Sequence, residues 1–215
     1  MAETTLVQMY RGGIFDHIGG GFSRYSTDGQ CWCPILRKCS TTTRCWRWPM
    51  PKLSADPAPP LWQILRRTLD YVLRELLDPQ GGFYCGQDAD SEGEEGKYYA
   101  FTDGELRELL GPGDAEVFFR WYGVTGPGNF EGKHILNLIA QPQVDQEPEG
   151  ISSAGAGAGL PSGADPACQG RQGACRLERL MTAALARSGL VLKDPRYLDA
   201  AKRAAAFLKQ NLTDK

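Results

Sequence analysis

Histidine is scarce in this chain, with only His17 and His134 among 215 residues, and its 24 basic residues are outnumbered by 26 acidic ones. A net charge of -2 without a basic stripe gives no reason to expect nucleic acid or an anionic membrane surface as a partner. No apolar run is long enough to span a bilayer. The opening residues, Met1-Ala2-Glu3-Thr4-Thr5-Leu6, lack the basic region and apolar core of a secretory signal. Cysteine is not scarce, since there are seven. Cys31, Cys33, Cys39 and Cys45 are close enough together to invite a zinc-ligand reading, but they and Cys168 and Cys175 fall in two stretches that do not match their surroundings. That leaves Cys85, a lone cysteine beside Gly86, as a packing residue. The expectation is a reduced, cytoplasmic protein with no cysteine metal site and no cofactor.

The first of those stretches, residues 31–57, regains sense in another reading frame. Taking the last nucleotide of each codon with the first two of the next, Cys31 to Thr42 permits L-V-P-H-F-E-K-M-L-Y-D-N. Residues 43–54 then permit A-L-L-A-M-A-Y-A-E-A-F-G, an apolar-rich run with good helix propensity. Loss of one G from a TGG codon at position 31 would produce the break. The second stretch, about 152–179, behaves the same way with the complementary offset. Gly170 to Arg179 permits D-K-V-L-A-D-W-N-G after an initial D and joins the in-frame run from Leu180. The sequence therefore reads as frameshifted twice, with both stretches expected to be irregular. A chain of this length would ordinarily hold one cored domain, but the two stretches remove roughly a quarter of it from native packing.

What stays in frame alternates helices with glycine- and aromatic-rich loops. Leu6, Met9 and Tyr10 share one side of a helix that stops at Gly12-Gly13. From Gly12 to Asp28, five glycines surround Asp16, His17, Arg24 and Tyr25, a density that lets the main chain lie against a ligand or another segment. The Lys-Ser/Thr of a phosphate loop is missing. Leu61, Leu65, Leu69, Val72 and Leu76 mark an amphipathic helix over 61–77, closed by Asp78-Pro79-Gln80-Gly81-Gly82. Asp88, Asp90, Glu92 and Gly93 imitate the start of a calcium loop. The twelfth position, however, is Tyr99 rather than a bidentate glutamate, so a solvated acidic loop or a polar pocket rim is expected and no metal site.

Lys97 to Phe101 is a short aromatic, strand-like piece. Thr102 and Glu105 are spaced as a capping box for a helix that stops at Gly111-Pro112-Gly113 and is followed by another over 115–121. His134, beside Ile135 and Leu136, reads as a packed or capping residue with no visible partner. Helices over 181–190 and 196–212, joined by Lys193-Asp194-Pro195, complete the chain. Paired helices with short links predict an all-α fold, a helical-hairpin toroid.

Gly12 to Asp28, Asp70 to Glu75, Gly81-Gly82-Phe83-Tyr84, Asp88 to Gly93, Gly96-Lys97-Tyr98-Tyr99 and Asp194-Pro195-Arg196-Tyr197-Leu198 together resemble the spermatogenesis-associated, thioredoxin-domain-containing proteins. Both restored peptides resemble the same family. The resemblance implies a partial six-hairpin (α/α)6 barrel similar to N-acylglucosamine 2-epimerases and six-hairpin glycosidases. It makes residues 1–215 a fragment of one barrel domain, with the family's thioredoxin-like domain missing. A carbohydrate is the implied ligand, and the chain as written is expected to be inactive because the polar lining motifs lie in the altered stretches. The alternative is a non-catalytic binding or scaffold toroid that partners a thioredoxin-like domain. No catalytic residue can be assigned; the candidate pocket groups are Asp16, His17, Arg24, Tyr25, Asp88, Asp90, Glu92 and His134.

Overall fold

A computed structural model describes residues 2–23, 26, 59–84, 86–87, 90–91, 94–95, 99–141, 169–170 and 175–211. The described chain is mostly helical. Helix α1 is Ala2–Arg11 and α2 is Pro59–Tyr71, the latter opened by prolines whose missing amide hydrogens would have no partner in a first turn. The α2 axis continues as a π-helical turn, Val72–Leu76, and ends at extended Leu77. Leu61, Leu65, Leu69, Val72 and Leu76 are buried along one side, as the spacing predicts, and Ile64 is buried with them; Arg66 and Arg74 are exposed, whereas Arg67 and Glu75, which the spacing also turns to solvent, are half-buried. Gln80 N donates to Asp78 Oδ1 at 2.7 Å, and Phe83 bridges back to Leu77 across this turn.

Helix α3, Asp103–Tyr122, is two helices joined at a kink. Thr102 supplies the capping box, with Thr102 N donating to Glu105 Oε2 at 2.7 Å and Glu105 N donating to Thr102 Oγ1 at 3.3 Å. Gly111 breaks the first helix with φ 76° and ψ 164°, and Pro112 starts the second. Gly123, with φ 66°, closes it in the left-handed region. The sequence pattern thus located both ends and the break.

Helices α4, Cys175–Leu192, and α5, Pro195–Asn211, form a hairpin. Asp194 caps α5, its Oδ1 accepting from Arg196 N at 3.0 Å, with Pro195 in the first helical position. The helices approach closely at Gly189, where a Cβ would stand 2.7 Å from Leu198 Cγ. Strand pairing among the described residues is confined to short ladders and single bridges. β1 (Gly86–Gln87) runs antiparallel to β4 (Gln169–Gly170), and β2 (Asp90–Ser91) to β3 (Glu94–Glu95).

Two of these elements correct the expectation of irregularity over 152–179. Gln169–Gly170 is a paired strand, and α4 begins at Cys175 instead of Met181. Helical spacing places Glu178, Met181 and Leu185 on one buried face, so tertiary packing extends the helix backwards. Residues 31–57, 152–168 and 171–174 lie outside the described residues. One core joins α1, α2, α3 and the α4–α5 hairpin, with Tyr10, Phe15, Phe22, Tyr71, Phe118 and Tyr197 among its largest buried side chains.

Candidate functional site

The glycine-rich loop after α1 lies directly on α2. Gly20 (φ 77°) and Gly21 (φ 84°) have backbone that L side chains rarely adopt, and added Cβ atoms would stand 2.9 Å from the Arg67 carbonyl oxygen and 2.6 Å from the Tyr71 ring. The glycines therefore serve contact with another segment. Two arginines of the α2 axis secure the loop: Arg67 donates to the His17 carbonyl and, at 2.9 Å, to the Tyr10 hydroxyl, and Arg74 donates to the Gly19 carbonyl. Asp16 folds the loop on itself, its Oδ1 accepting from Ile18 N at 2.8 Å and Gly19 N at 2.9 Å.

Beneath this loop is a recess of ≈ 320 Å³, its open mouth included, lined among others by Asp16, His17, Ser23, Tyr99, Phe101 and Leu136. It lies at the small end for ligand recesses, and its enclosed part is of water size. The opposite wall is held by the Phe101–His134 bridge, where Phe101 N donates to His134 O at 3.0 Å and His134 N to Phe101 O at 2.7 Å. Asn129 braces it, exchanging hydrogen bonds of 2.8 and 2.7 Å with the Ile135 backbone.

His17 is 1% exposed and sits among Tyr10, Phe15 and Tyr122, with ring centroids 5.2, 5.4 and 5.9 Å away. Neither ring nitrogen has a hydrogen-bond partner of normal geometry among the described residues, although the Gly12 backbone lies near enough to favour the charged form slightly. Burial above all, then the Arg67 charge, pushes the imidazole down to about 3, against a smaller upward pull from Asp16. His17 is thus neutral at pH 7. Burial, with Tyr99, Glu75 and Asp16 nearby, raises the Tyr71 phenol well above its ordinary value, so it stays protonated.

Of the eight candidate pocket groups, Asp16 and His17 line the recess. His134 is buried but faces elsewhere, with Nε2 2.5 Å from Asp103 Oδ1 at the start of α3 and Nδ1 without a hydrogen-bond partner among the described residues. The partner that the sequence did not reveal for His134 is therefore Asp103. The Asp90 backbone pairs with Glu95. Arg24, Tyr25, Asp88, Glu92 and the Asp90 side chain lie outside the described residues. Ser23, Tyr99 and Phe101 also line the recess; all three stand in the glycine and aromatic motifs, but nothing in their spacing marks them as pocket groups. Among the described residues no cluster of three metal-ligating side chains occurs and no helix is long and apolar enough to cross a membrane.

No family model matches the chain. It is similar to proteins named spermatogenesis-associated protein 20. The Homo sapiens protein is 28% identical over 257 residues, covering 100% of this chain and 32% of the human one. The Mus musculus protein is 32% identical over 160 residues, covering 64% of this chain and 19% of its own length, and the Rattus norvegicus protein is 28% identical over 255 residues. These similarities support the family resemblance drawn from the motifs. The chain spans about a third of the length of the human and rat relatives.

Proposed function

We propose that this chain is part of a carbohydrate-active (α/α)6 barrel resembling N-acylglucosamine 2-epimerases, and that it is catalytically silent as written. The observation that carries the silence is the enclosure of His17. Moving a proton next to a sugar carbonyl needs a group that can take and return it near neutral pH. An imidazole 1% exposed, ringed by aromatics and pushed down to about 3 is a feeble base and is not an acid at pH 7. Asp16 is engaged with the Ile18 and Gly19 amides, and His134 faces Asp103. The carbohydrate class is supported by the family resemblance and by a small recess with aromatic walls, a hydroxyl and a carboxylate.

The test is incubation with N-acetylglucosamine in D2O, following the C2 proton by NMR alongside ligand-observed binding. Binding without C2 exchange above buffer is expected. Exchange that scales with folded protein and vanishes on unfolding would overturn the silent reading.

One observation favours a non-catalytic scaffold that partners a thioredoxin-like domain. The family-like motifs are engaged in packing: Gly20 and Gly21 on α2, Gly81 and Gly82 on α5, and Asp194 to Tyr197 between helices. A chain that binds no sugar but captures a thioredoxin-like domain would move the function to this reading.

A further inference from the structure

We propose that copies of this chain dock on one another through α3 and α4, the basic outer face of α4 on one copy seating on the acidic outer face of α3 on the next. Among the described residues the large apolar side chains left exposed are Leu109 on α3, at 42%, and Leu190 and Val191 on α4, at 69% and 49%. Single exposed leucines are ordinary on a protein surface. What sets these apart is the charge around them, which has opposite sign at the two places.

On α4, Arg179, Ala183, Arg187, Leu190 and Val191 recur at helical spacing and are all exposed, opposite the buried side that carries Met181 and Leu185. The acidic residue of this helix, Glu178, is on the buried side, so the outer stripe is a pair of arginines ending in an apolar tip. On α3, Glu105, Glu108 and Leu109 lie together on the exposed side. Arg107, the cation in that half of the helix, is answered within α3, donating to Glu116 Oε1 at 2.7 Å and lying over the Phe119 ring. The surroundings of Leu109 are therefore acidic.

The two faces complement each other in both respects: the apolar tips lose water against each other, while guanidinium and carboxylate groups around them set orientation. A net charge of -2 opposes the approach of two copies only weakly. Because α3 meets α4 and not itself, the contact is heterologous. Each pairing leaves one face of either kind open, so assembly continues as concentration rises. Two short helix faces bury less than a stable interface needs, which makes the association weak and sensitive to salt.

Sedimentation velocity of the full chain over a range of concentrations, at low salt and in about 0.5 M NaCl, tests this. The sedimentation coefficient is expected to rise with concentration at low salt and to stay flat at high salt. Glu108→Arg and Arg187→Glu, each altering one exposed charge, should each weaken self-association about ten-fold or more. Their equimolar mixture should associate again, since each variant keeps the face that the other has lost, a rescue that disturbed folding would not give. Leu190→Ser, which leaves the charges untouched, should also weaken association and takes the place of Arg187→Glu in the mixture if that variant does not fold. A native chain that stays monomeric at low salt overturns the proposal and leaves the two faces to a different partner. Association that neither reversal weakens, that only one of them weakens, or that mixing fails to restore overturns it as well.

Discussion

His17 pairs tight aromatic packing with two nitrogens that lack a hydrogen bond of normal geometry among the described residues, so its protonation is coupled to folding. The unfolded chain takes up a proton near 6.5 that the folded chain refuses until about 3. The stability is therefore fully present above the unfolded value and is lost as pH falls through that window, at up to about 1.4 kcal/mol per pH unit. Denaturant titrations at pH 7, 5.5 and 4.5 should show this slope in the native chain and a flatter one in His17→Phe. Glu178 has the opposite sign. It is 5% exposed with Oε2 unmatched among the described residues, and burial raises its carboxyl from 4.5 despite the Phe83 backbone amide. The folded chain holds this proton to higher pH than the unfolded one, so stability falls as pH rises above 4.5 towards the folded value. Glu178→Gln should stabilise by about 1 kcal/mol at pH 7, with the gain vanishing in acid, as followed by thermal melts.

At the scale of elements, two glycine pairs decide how loops meet helices. Gly20 and Gly21 bring the first loop onto Arg67 and Tyr71, while Gly81 (φ 101°) and Gly82 bring the turn after α2 so close to α5 that added Cβ atoms would stand 3.0 Å from the Arg203 carbonyl oxygen and 2.7 Å from the Phe207 ring. Gly21→Ala combines positive φ with three Tyr71 ring atoms within 2.9 Å, and should destabilise by about 2–4 kcal/mol in urea unfolding. Gly104→Ala, in the first turn of α3 with nothing within 4 Å, should instead gain up to about 1 kcal/mol. Helix positions were legible because periodicity and caps are local: Thr102, Glu105 and Gly111 are where the pattern put them. The target of each glycine was not legible, since positive φ and close approach look alike in sequence whether a ligand or a helix lies opposite. The start of α4 was misread for a related reason. Met181 and Leu185 are buried in the core on the face that the helix presents back towards Cys175, and such burial is not something local propensity reports.

Across the whole described molecule, the α4–α5 hairpin is fastened to α2 by a polar clasp. The Tyr197 hydroxyl, on a fully buried residue, donates to Asp70 Oδ1 at 2.9 Å. Arg196 reaches Asp194 at 2.8 Å and Asp70 at 3.4 Å, and Arg66 stands 3.7 Å from Asp194. Burial and the Asp70 carboxylate raise the Tyr197 phenol, so it remains a donor at neutral pH, and Arg196 holds Asp194 below its ordinary value. Tyr197→Phe should cost about 1 kcal/mol and speed amide exchange across α5 more than across α3, measured by hydrogen–deuterium exchange. The frame reading has its own check at this scale. Coding DNA across codons 28–60 and 150–182 should encode the restored peptides in shifted frames, and nucleotides unable to do so would refute it.

Sequence alone determined the helical class, the capping box and kink of α3, the Asp194-Pro195 start of α5 and the motifs that tie the chain to its relatives. All of these arise from interactions between residues a few positions apart. Only the tertiary structure decided that Asp16 and His17 share a recess with Tyr99 and Phe101, and that His134 faces Asp103. The residues that meet there are far apart in the chain, and whether an imidazole is a base or a packed ring depends on burial and on the groups packed around it.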